Sequence, residues 1–506
     1  MLLWFLERVI IRLFDFISAA SYTIRRRLSR RPRAIPGIVI GQAANQFRPN
    51  RTEVISLSSD QRLKSVYLLG GTGSGKTKSI EGMVVEDMKQ GNGFTVIDPH
   101  GDLTENILRH AARPNETALA DRLVLVEPFN PDWSIGFNPL ECPDKKNSYS
   151  LVLEMMGIFR RLWGEGSWGP RMDELLRNVL VSLSESGLTL LEASSLLTDG
   201  AFRNGVIVQV ENQQVREYWQ RYNALSDKMQ AAYREPVLNK VSTFTSDPNI
   251  RVMLGQARST LNFRNAMDEG KWILINLSKG QLKENTFLLG SLLLAKLKLG
   301  AISRVDINEE LRRPHTIYVD EFQNFCGSDY DFETILSESR KFKLGLTIAH
   351  QTLGQISPQL RSVIFGNVCT LLFFRLSAHD AATVAAEMGY KDKSSIERKL
   401  CDLGVGQAYL KIKGRPATLL RVSRIHTPDA SDEQLSRLKL FSFQTHARRR
   451  DEIEREIAGG KGPLLKDRTG RVEIKTARPQ AKNKRGSSKG NVDHGKIRSD
   501  EGQSSW

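Results

Sequence analysis

The octapeptide Gly70-Gly71-Thr72-Gly73-Ser74-Gly75-Lys76-Thr77 is the segment of the chain best suited to chemistry. It follows the apolar run Val66-Tyr67-Leu68-Leu69 and precedes a stretch in which Ile80, Met83, Val84 and Met88 recur at helical spacing. A glycine-rich turn between a strand and a helix lets backbone N–H groups curl around phosphate oxygens, and the helix N-terminus behind it favours the same negative charge. In this reading residues 70–75 form the cradle, Lys76 reaches the β and γ oxygens of ATP, and the Thr77 hydroxyl holds Mg²⁺. Gly91-Asn92-Gly93 supplies a stop for the helix.

Three further groups fit beside that cradle. Thr316-Ile317-Tyr318-Val319 is an apolar run ending in Asp320-Glu321. The first acid is suited to organising a Mg²⁺ shell and the second to polarising an attacking water, because phosphoryl transfer depends on positioning and charge stabilisation. Leu346-Thr347-Ile348-Ala349-His350-Gln351 is a second run with a polar end. Gln351 is the candidate γ-phosphate sensor there, whereas His350 reads as structural. Arg375 closes Leu371-Leu372-Phe373-Phe374 at the sheet edge. It is placed to stabilise a transition state in cis or in trans, or else to pair with Asp380. Asp98 and Asp102 lie at the end of a fourth apolar run, where open α/β sheets bind ligands. Asp98 is a candidate for nucleotide contact, and either acid could equally cap the helix that follows.

Apolar runs at residues 94–97, 272–277, 316–319, 344–349 and 370–374 alternate with helical patterns, which predicts a doubly wound, mostly parallel sheet. The organisation expected is an amphipathic N-terminal helix and basic block (1–35), the first part of a motor core (36–140) and an all-helical insertion (141–268). The second part of the core (269–430), a C-terminal helix (431–446) and a disordered basic tail (447–506) follow. Residues 288–302 are almost wholly apolar yet hold Lys296 and Lys298, as a buried core helix of this length would. A turn at Lys413-Gly414-Arg415-Pro416 between residues 407–412 and 418–422 predicts a closing hairpin.

The count of 73 Lys plus Arg against 57 Asp plus Glu leaves a net charge of +16, which favours a polyanionic partner such as nucleic acid or an acidic membrane surface. The 4 cysteines form no CxxC pair and read as thiols of a reducing cytosol. Residues 2–20 are apolar but interrupted by Glu7, Arg8, Arg12 and Asp15, and Arg25-Arg26-Arg27 follow. Residues 1–33 therefore suit an interfacial anchor at the inner face of a membrane, a contact with a protein partner, or a degenerate span. Lys279, Arg258 and Arg264 are candidate contacts to a nucleic-acid backbone.

Taken together these stretches resemble the HerA/FtsK branch of ring-forming P-loop ATPases, most closely the TraG/TraD-type coupling proteins of conjugation and type IV secretion. Besides the phosphate loop, the matching segments include Val96-Ile97-Asp98-Pro99-His100-Gly101-Asp102, Trp168-Gly169-Pro170-Arg171, Asn276-Leu277-Ser278-Lys279-Gly280, Val319-Asp320-Glu321-Phe322-Gln323 and Ala349-His350-Gln351. The resemblance spans about residues 60–430. It implies a RecA-like P-loop core that hydrolyses ATP with Mg²⁺, a homo-hexamer with nucleotide at subunit interfaces, and DNA moving through a central channel. A relaxase or nuclease partner is also implied, as is a secretion channel. A HerA-like motor working with a nuclease in DNA end processing or phage defence, and an ATPase that handles protein substrates, are the alternative readings. In place of the Arg-His pair that relatives carry before the phosphate-loop strand, this chain has Lys64-Ser65, with Arg62 nearby.

Overall fold

The computed structural model describes residues 37–44, 52–112, 121–142, 144–164, 168–325, 335–388 and 392–459. The expectations for residues 1–33 and for the tail beyond 459 lie outside these residues, whereas Arg448–Arg449 and Arg450–Ala458, expected within the disordered tail, form a strand and a helix.

Thirteen strands lie among them: β1 (Ile38–Ala44), β2 (Thr52–Leu57), β3 (Val66–Leu69), β4 (Gly93–Asp98), β5 (Leu123–Val126), β6 (Trp133–Ser134), β7 (Trp272–Asn276), β8 (His315–Val319), β9 (Leu344–His350), β10 (Thr370–Phe373), β11 (Gln407–Ile412), β12 (Thr418–Val422) and β13 (Arg448–Arg449). Eleven form one sheet in the order β2-β1-β12-β11-β10-β3-β9-β8-β4-β7-β5, and β6 pairs with β13 apart from it. From β10 to β5 every pairing is parallel. From β10 outward through β11, β12, β1 and β2 every pairing is antiparallel.

The parallel strands are buried on both faces, as strands covered by crossover helices must be. Along β3, Val66 and Leu68 enter the apolar cluster that holds Ile80, Met83 and Val84 of helix Lys76–Gln90. Tyr67 and Leu69 face the opposite cluster, which contains the helices between β6 and β7. The period of two residues along a strand divides the side chains in this way. Each aliphatic side chain fully removed from water stabilises the fold by about 1.5–3 kcal/mol.

Between Ser148 and Glu269 the chain is helical, with Ser148–Trp163, Pro170–Glu185, Gln213–Asn223 and Asp227–Thr245 as its longest elements. Helix Asn285–Ile302 and the turn after it, through Asp306, have a mean hydropathy of 1.5, long and apolar enough to cross a membrane, yet 61% of that span is buried inside the protein. Its two cations are matched: Lys298 pairs with Glu154 at 2.8 Å and Lys296 donates to the Glu141 carbonyl at 2.7 Å. It is a core helix, held by packing against Ser148–Trp163.

Candidate active site

Strand β3 sits between β10 and β9, so the loop that leaves it is bracketed by the ends of both neighbours. The Gly70 N–H donates to the His350 carbonyl at 3.3 Å, and the Gly71 N–H to the Arg375 carbonyl at 2.9 Å. Gly73 and Gly75 take φ of 72° and 108°, the left-handed region in which a side chain is strained. A Cβ on Gly70 would lie 2.5 Å from that of Phe374, so this position is closed to any larger residue. The backbone amides of Thr72, Gly73 and Gly75 find no hydrogen-bond partner among the described residues. Thr72 and Gly73 are exposed and Gly75 half-buried, and a concave row of free N–H groups at a helix start fits an anion.

Lys76 is the first residue of the helix and is buried, its Nζ donating to the carbonyls of Gly70 and Gly71. Burial lowers its pKa, while the charges of Glu321 and Asp320 act the other way. The next residue is Thr77, whose Oγ1 donates to Asp320 Oδ2 at 2.9 Å. Burial pushes the Asp320 carboxyl above its ordinary value; the Thr77 hydroxyl opposes the shift and the nearby charges of Glu321 and Asp98 add to it. A threonine hydroxyl facing a buried carboxylate is the oxygen pair that a hard divalent cation takes when most of its remaining ligands are water and phosphate. No cluster of three or more His, Cys, Asp or Glu side chains suited to a metal by itself occurs among the described residues.

Glu321 has φ 48° and ψ 50°. A non-glycine residue in this region costs on the order of 1–3 kcal/mol and persists only where its surroundings impose it. Here three amides impose it. Gln351 Nε2 donates to Glu321 Oε1 at 2.9 Å, Gln323 Nε2 to Glu321 Oε2 at 2.7 Å, and Asn324 Nδ2 to the Glu321 carbonyl at 2.9 Å. Gln351 also accepts a hydrogen bond from Thr72 Oγ1 at 3.0 Å. One glutamine side chain thereby joins the phosphate loop to the acidic end of β8.

His350 is buried, and Tyr67 Oη lies 2.5 Å from its Nε2. Burial takes its pKa down to about 3, so the ring is neutral at physiological pH and acts as packing and hydrogen-bond support beneath the loop. Asp98 is buried with both oxygens engaged, Oδ1 by the His100 N–H at 2.9 Å and Oδ2 by the Thr104 N–H at 2.8 Å. It accepts from amides at the start of helix Asp102–Ala111 and bears on the site through its charge on Asp320. Asp102 lies exposed in the first turn of the same helix.

Arg375 is exposed at the end of β10, and its guanidinium forms no ion pair among the described residues. The alternative of a pair with Asp380, which is buried, is not formed. Arg264 is committed to Asp306 through two contacts of 2.6 Å, and Arg258 lies 3.6 Å from Glu141. Lys279 is exposed and donates to Asn324 Oδ1 at 3.0 Å. Arg62 is sealed inside the protein against Asp87, Thr316 and Tyr318, so it presents no cation at the surface.

Sequence reading passed over three contributors. The Gly404-Val405-Gly406-Gln407 loop donates the Gly406 N–H to the Ser74 carbonyl at 3.0 Å and so supports the phosphate loop from β11. Thr72, read there only as part of the cradle, also holds Gln351. Gln323 and Asn324 stand two and three residues after Glu321, and an acid pair followed by two amides within three residues was the signal available for them.

A sheet with the phosphate-loop strand between β10 and β9, and the acid-ended strand next beyond β9, defines the RecA-like P-loop fold. No protein-family model matches the chain, and no curated protein matches it in sequence. Among solved structures it is similar to the bacterial conjugative coupling protein TrwB in an unbound form, at 14% identity and a TM-score of 0.52 over 74% of this chain and 88% of that one. It is similar to TrwB in complex with ADP and Mg²⁺, at 14% identity and a TM-score of 0.53 over 74% and 89%. VirB4 of Thermoanaerobacter pseudethanolicus matches at 14% identity and a TM-score of 0.53 over 79% and 98%. At such identities the likeness is one of fold.

Proposed function

We propose that this chain is an ATP-hydrolysing motor of the coupling-protein kind, which moves DNA through a ring of its own copies. The observation that carries the reading is the bridge made by Gln351. It joins Thr72 of the phosphate loop to Glu321, beside the Thr77–Asp320 contact, so binding, metal and hydrolytic groups meet within one set of hydrogen bonds.

In this reading the free amides of Thr72, Gly73 and Gly75 receive the phosphates and Lys76 turns from its own loop carbonyls to their oxygens. Thr77 and Asp320 hold Mg²⁺, as the fold's occurrence with ADP and Mg²⁺ in TrwB supports. The metal supplies charge neutralisation at the β and γ oxygens. Glu321 orients and takes the proton of the attacking water, Gln351 reports the γ-phosphate to it, and Arg375, exposed just past the end of β10, stabilises transition-state charge at its own or a neighbouring subunit's nucleotide. The net charge of +16 supports a polyanionic track. The likeness in fold to the conjugative coupling protein TrwB supports a place in conjugation or type IV secretion, and a hexameric ring working on the cytoplasmic side of a membrane belongs to the same proposal.

The test is steady-state ATP hydrolysis with and without single- and double-stranded DNA, with Lys76→Ala as the blank. The motor reading expects a rate stimulated by DNA, with stimulation fading as salt is added. A rate indifferent to DNA and absent in Lys76→Ala keeps the ATPase and moves the assignment to a protein-handling motor.

A further inference from the structure

The strained backbone of Glu321 is held from a direction unrelated to nucleotide. Asn324 Nδ2 grips the Glu321 carbonyl at 2.9 Å, while Asn324 Oδ1 accepts from Lys279 Nζ at 3.0 Å. Lys279 begins the short helix Lys279–Leu282 after β7 and its side chain is exposed. The same segment is anchored to β4, since the Lys279 N–H donates to the Pro99 carbonyl at 2.9 Å. An exposed ammonium is thus two hydrogen bonds away from the backbone of the candidate base, on a fixed mount.

We infer that Gln323 and Asn324 are positioning residues that hold Glu321 in its left-handed pose, and that Lys279 is the surface end of this linkage, which a DNA phosphate takes over; this rests on the motor reading above. Held so, both Glu321 oxygens accept from side-chain amides, of Gln351 and Gln323. The ammonium of Lys279 gains more from an anionic phosphate than from a neutral amide oxygen, since charge-assisted hydrogen bonds are about twice as strong. Once Lys279 turns to the phosphate, the Asn324 side-chain amide loses its orienting partner and its grip on the Glu321 carbonyl, which is then held by the Asn324 backbone N–H at 3.0 Å alone. The backbone strain at Glu321 then favours relaxation out of φ 48°. DNA contact is converted in this way into freedom of the hydrolytic carboxylate.

The experiment measures ATP hydrolysis by the full chain with and without single- and double-stranded DNA, in Asn324→Ala, Asn324→Asp, Lys279→Ala and Lys279→Arg. Asn324→Asp keeps an acceptor for Lys279 but loses the donor to Glu321, so it guards against a variant that merely folds poorly. Both Asn324 variants and Lys279→Ala are expected to raise the DNA-free rate and to cut the ratio of stimulated to basal rate at least about fivefold, the lower end of ordinary coupling between sites. The KM for ATP should stay within about twofold, and Lys279→Arg should keep most of the stimulation. A merely structural role would lower both rates together and leave their ratio intact, which overturns the inference. Wild-type hydrolysis that ignores DNA overturns it while leaving the ATPase standing, and a chain with no hydrolysis overturns both.

Discussion

Strand β8 presents two polar clusters on one face, both against helix Lys76–Gln90, and they are built to opposite ends. Thr316 and Tyr318 meet Arg62 and Asp87 near the far end of that helix, where Tyr318 Oη donates to Asp87 Oδ2 at 2.6 Å and Arg62 reaches Thr316 at 2.9 Å. Two residues further along, beyond the strand's end, Asp320 meets Thr77 at the helix start. The first cluster is closed: Arg62 is 3% exposed and Asp87 not at all. Burial opposes the guanidinium's charge, yet Tyr318 and Asp87 outweigh it and raise its pKa above the ordinary value. In the second, burial raises the Asp320 carboxyl; Lys76 opposes this only through its charge, and no cation among the described residues hydrogen-bonds to it. One cluster spends its charges on each other and ties the helix to the sheet; the other keeps a charge uncompensated for a ligand.

The largest effect expected from this difference is on turnover. Glu321→Gln should retain ATP binding and thermal stability but lose about 10²- to 10⁴-fold in hydrolysis rate, the range for a positioned acid–base group. A rate within about twofold of wild type would remove Glu321 from the mechanism. Next comes Asp87→Ala, which leaves Arg62 buried without its carboxylate and should lower stability by about 3–5 kcal/mol, read as a fall in the urea midpoint. The ATP affinity of whatever remains folded should change little.

Asp320→Asn sharpens the contrast, because the same kind of change should here stabilise. The raised folded-state pKa means that the stability contributed by the protonated form is full below the ordinary 3.8 and is lost as pH rises through the folded value. At neutral pH the native carboxylate is therefore a cost, and the amide, which can still pair with Thr77, should gain about 0.5–2 kcal/mol while hydrolysis is lost. The gain should shrink as melts are taken toward about pH 4, where wild-type Asp320 is increasingly protonated. A variant that melts lower than wild type at neutral pH would show that Asp320, like Asp87, is a structural charge.

The open cluster was largely legible in sequence and the closed one was not. Gly70 to Thr77, Asp320, Glu321 and Gln351 each stand at the end of an apolar run, and a motif confined to one strand and its turn survives being read without a partner. Arg62 pairs with residues more than 250 positions away, at Thr316 and Tyr318, and nothing local marks it as buried; in sequence it stood only as an arginine near Lys64-Ser65. Strand β5 was missed for a related reason. Leu123-Val124-Leu125-Val126 is a short apolar run without alternation, which periodicity does not assign. Strands β11 and β12 were read to the residue, because a turn joins two runs of adequate length, whereas their continuation into β1 and β2 depends on long-range pairing of Gly41 with Val422. The strand end allowed two readings of Asp98, and the positions of the His100 and Thr104 amides that it accepts from could not be read from the sequence.

The smallest effect serves as the control for the whole comparison. Helix Ser59–Leu63 and its cap carry two cations two residues apart, Arg62 turned inward and Lys64 turned to solvent. Lys64 pairs with Asp60, one turn away, with 37% and 55% of the two side chains exposed, and Arg340 lies 3.0 Å from the same carboxylate. The Lys64 hydrogen bond lowers the Asp60 pKa, so the pair adds stability above the ordinary 3.8 and loses it as pH falls through the lowered value. Water screens both charges and the long side chains lose entropy to stay paired, so Lys64→Ala should cost no more than about 0.5 kcal/mol at neutral pH. A urea midpoint shift for Lys64→Ala as large as that for Asp87→Ala would mean that the segment before β3 is held by the sum of its charges. A negligible shift beside a large one for Asp87→Ala would assign the anchoring of the phosphate-loop helix to the buried pair alone, with burial and not sequence position deciding which of two neighbouring cations matters.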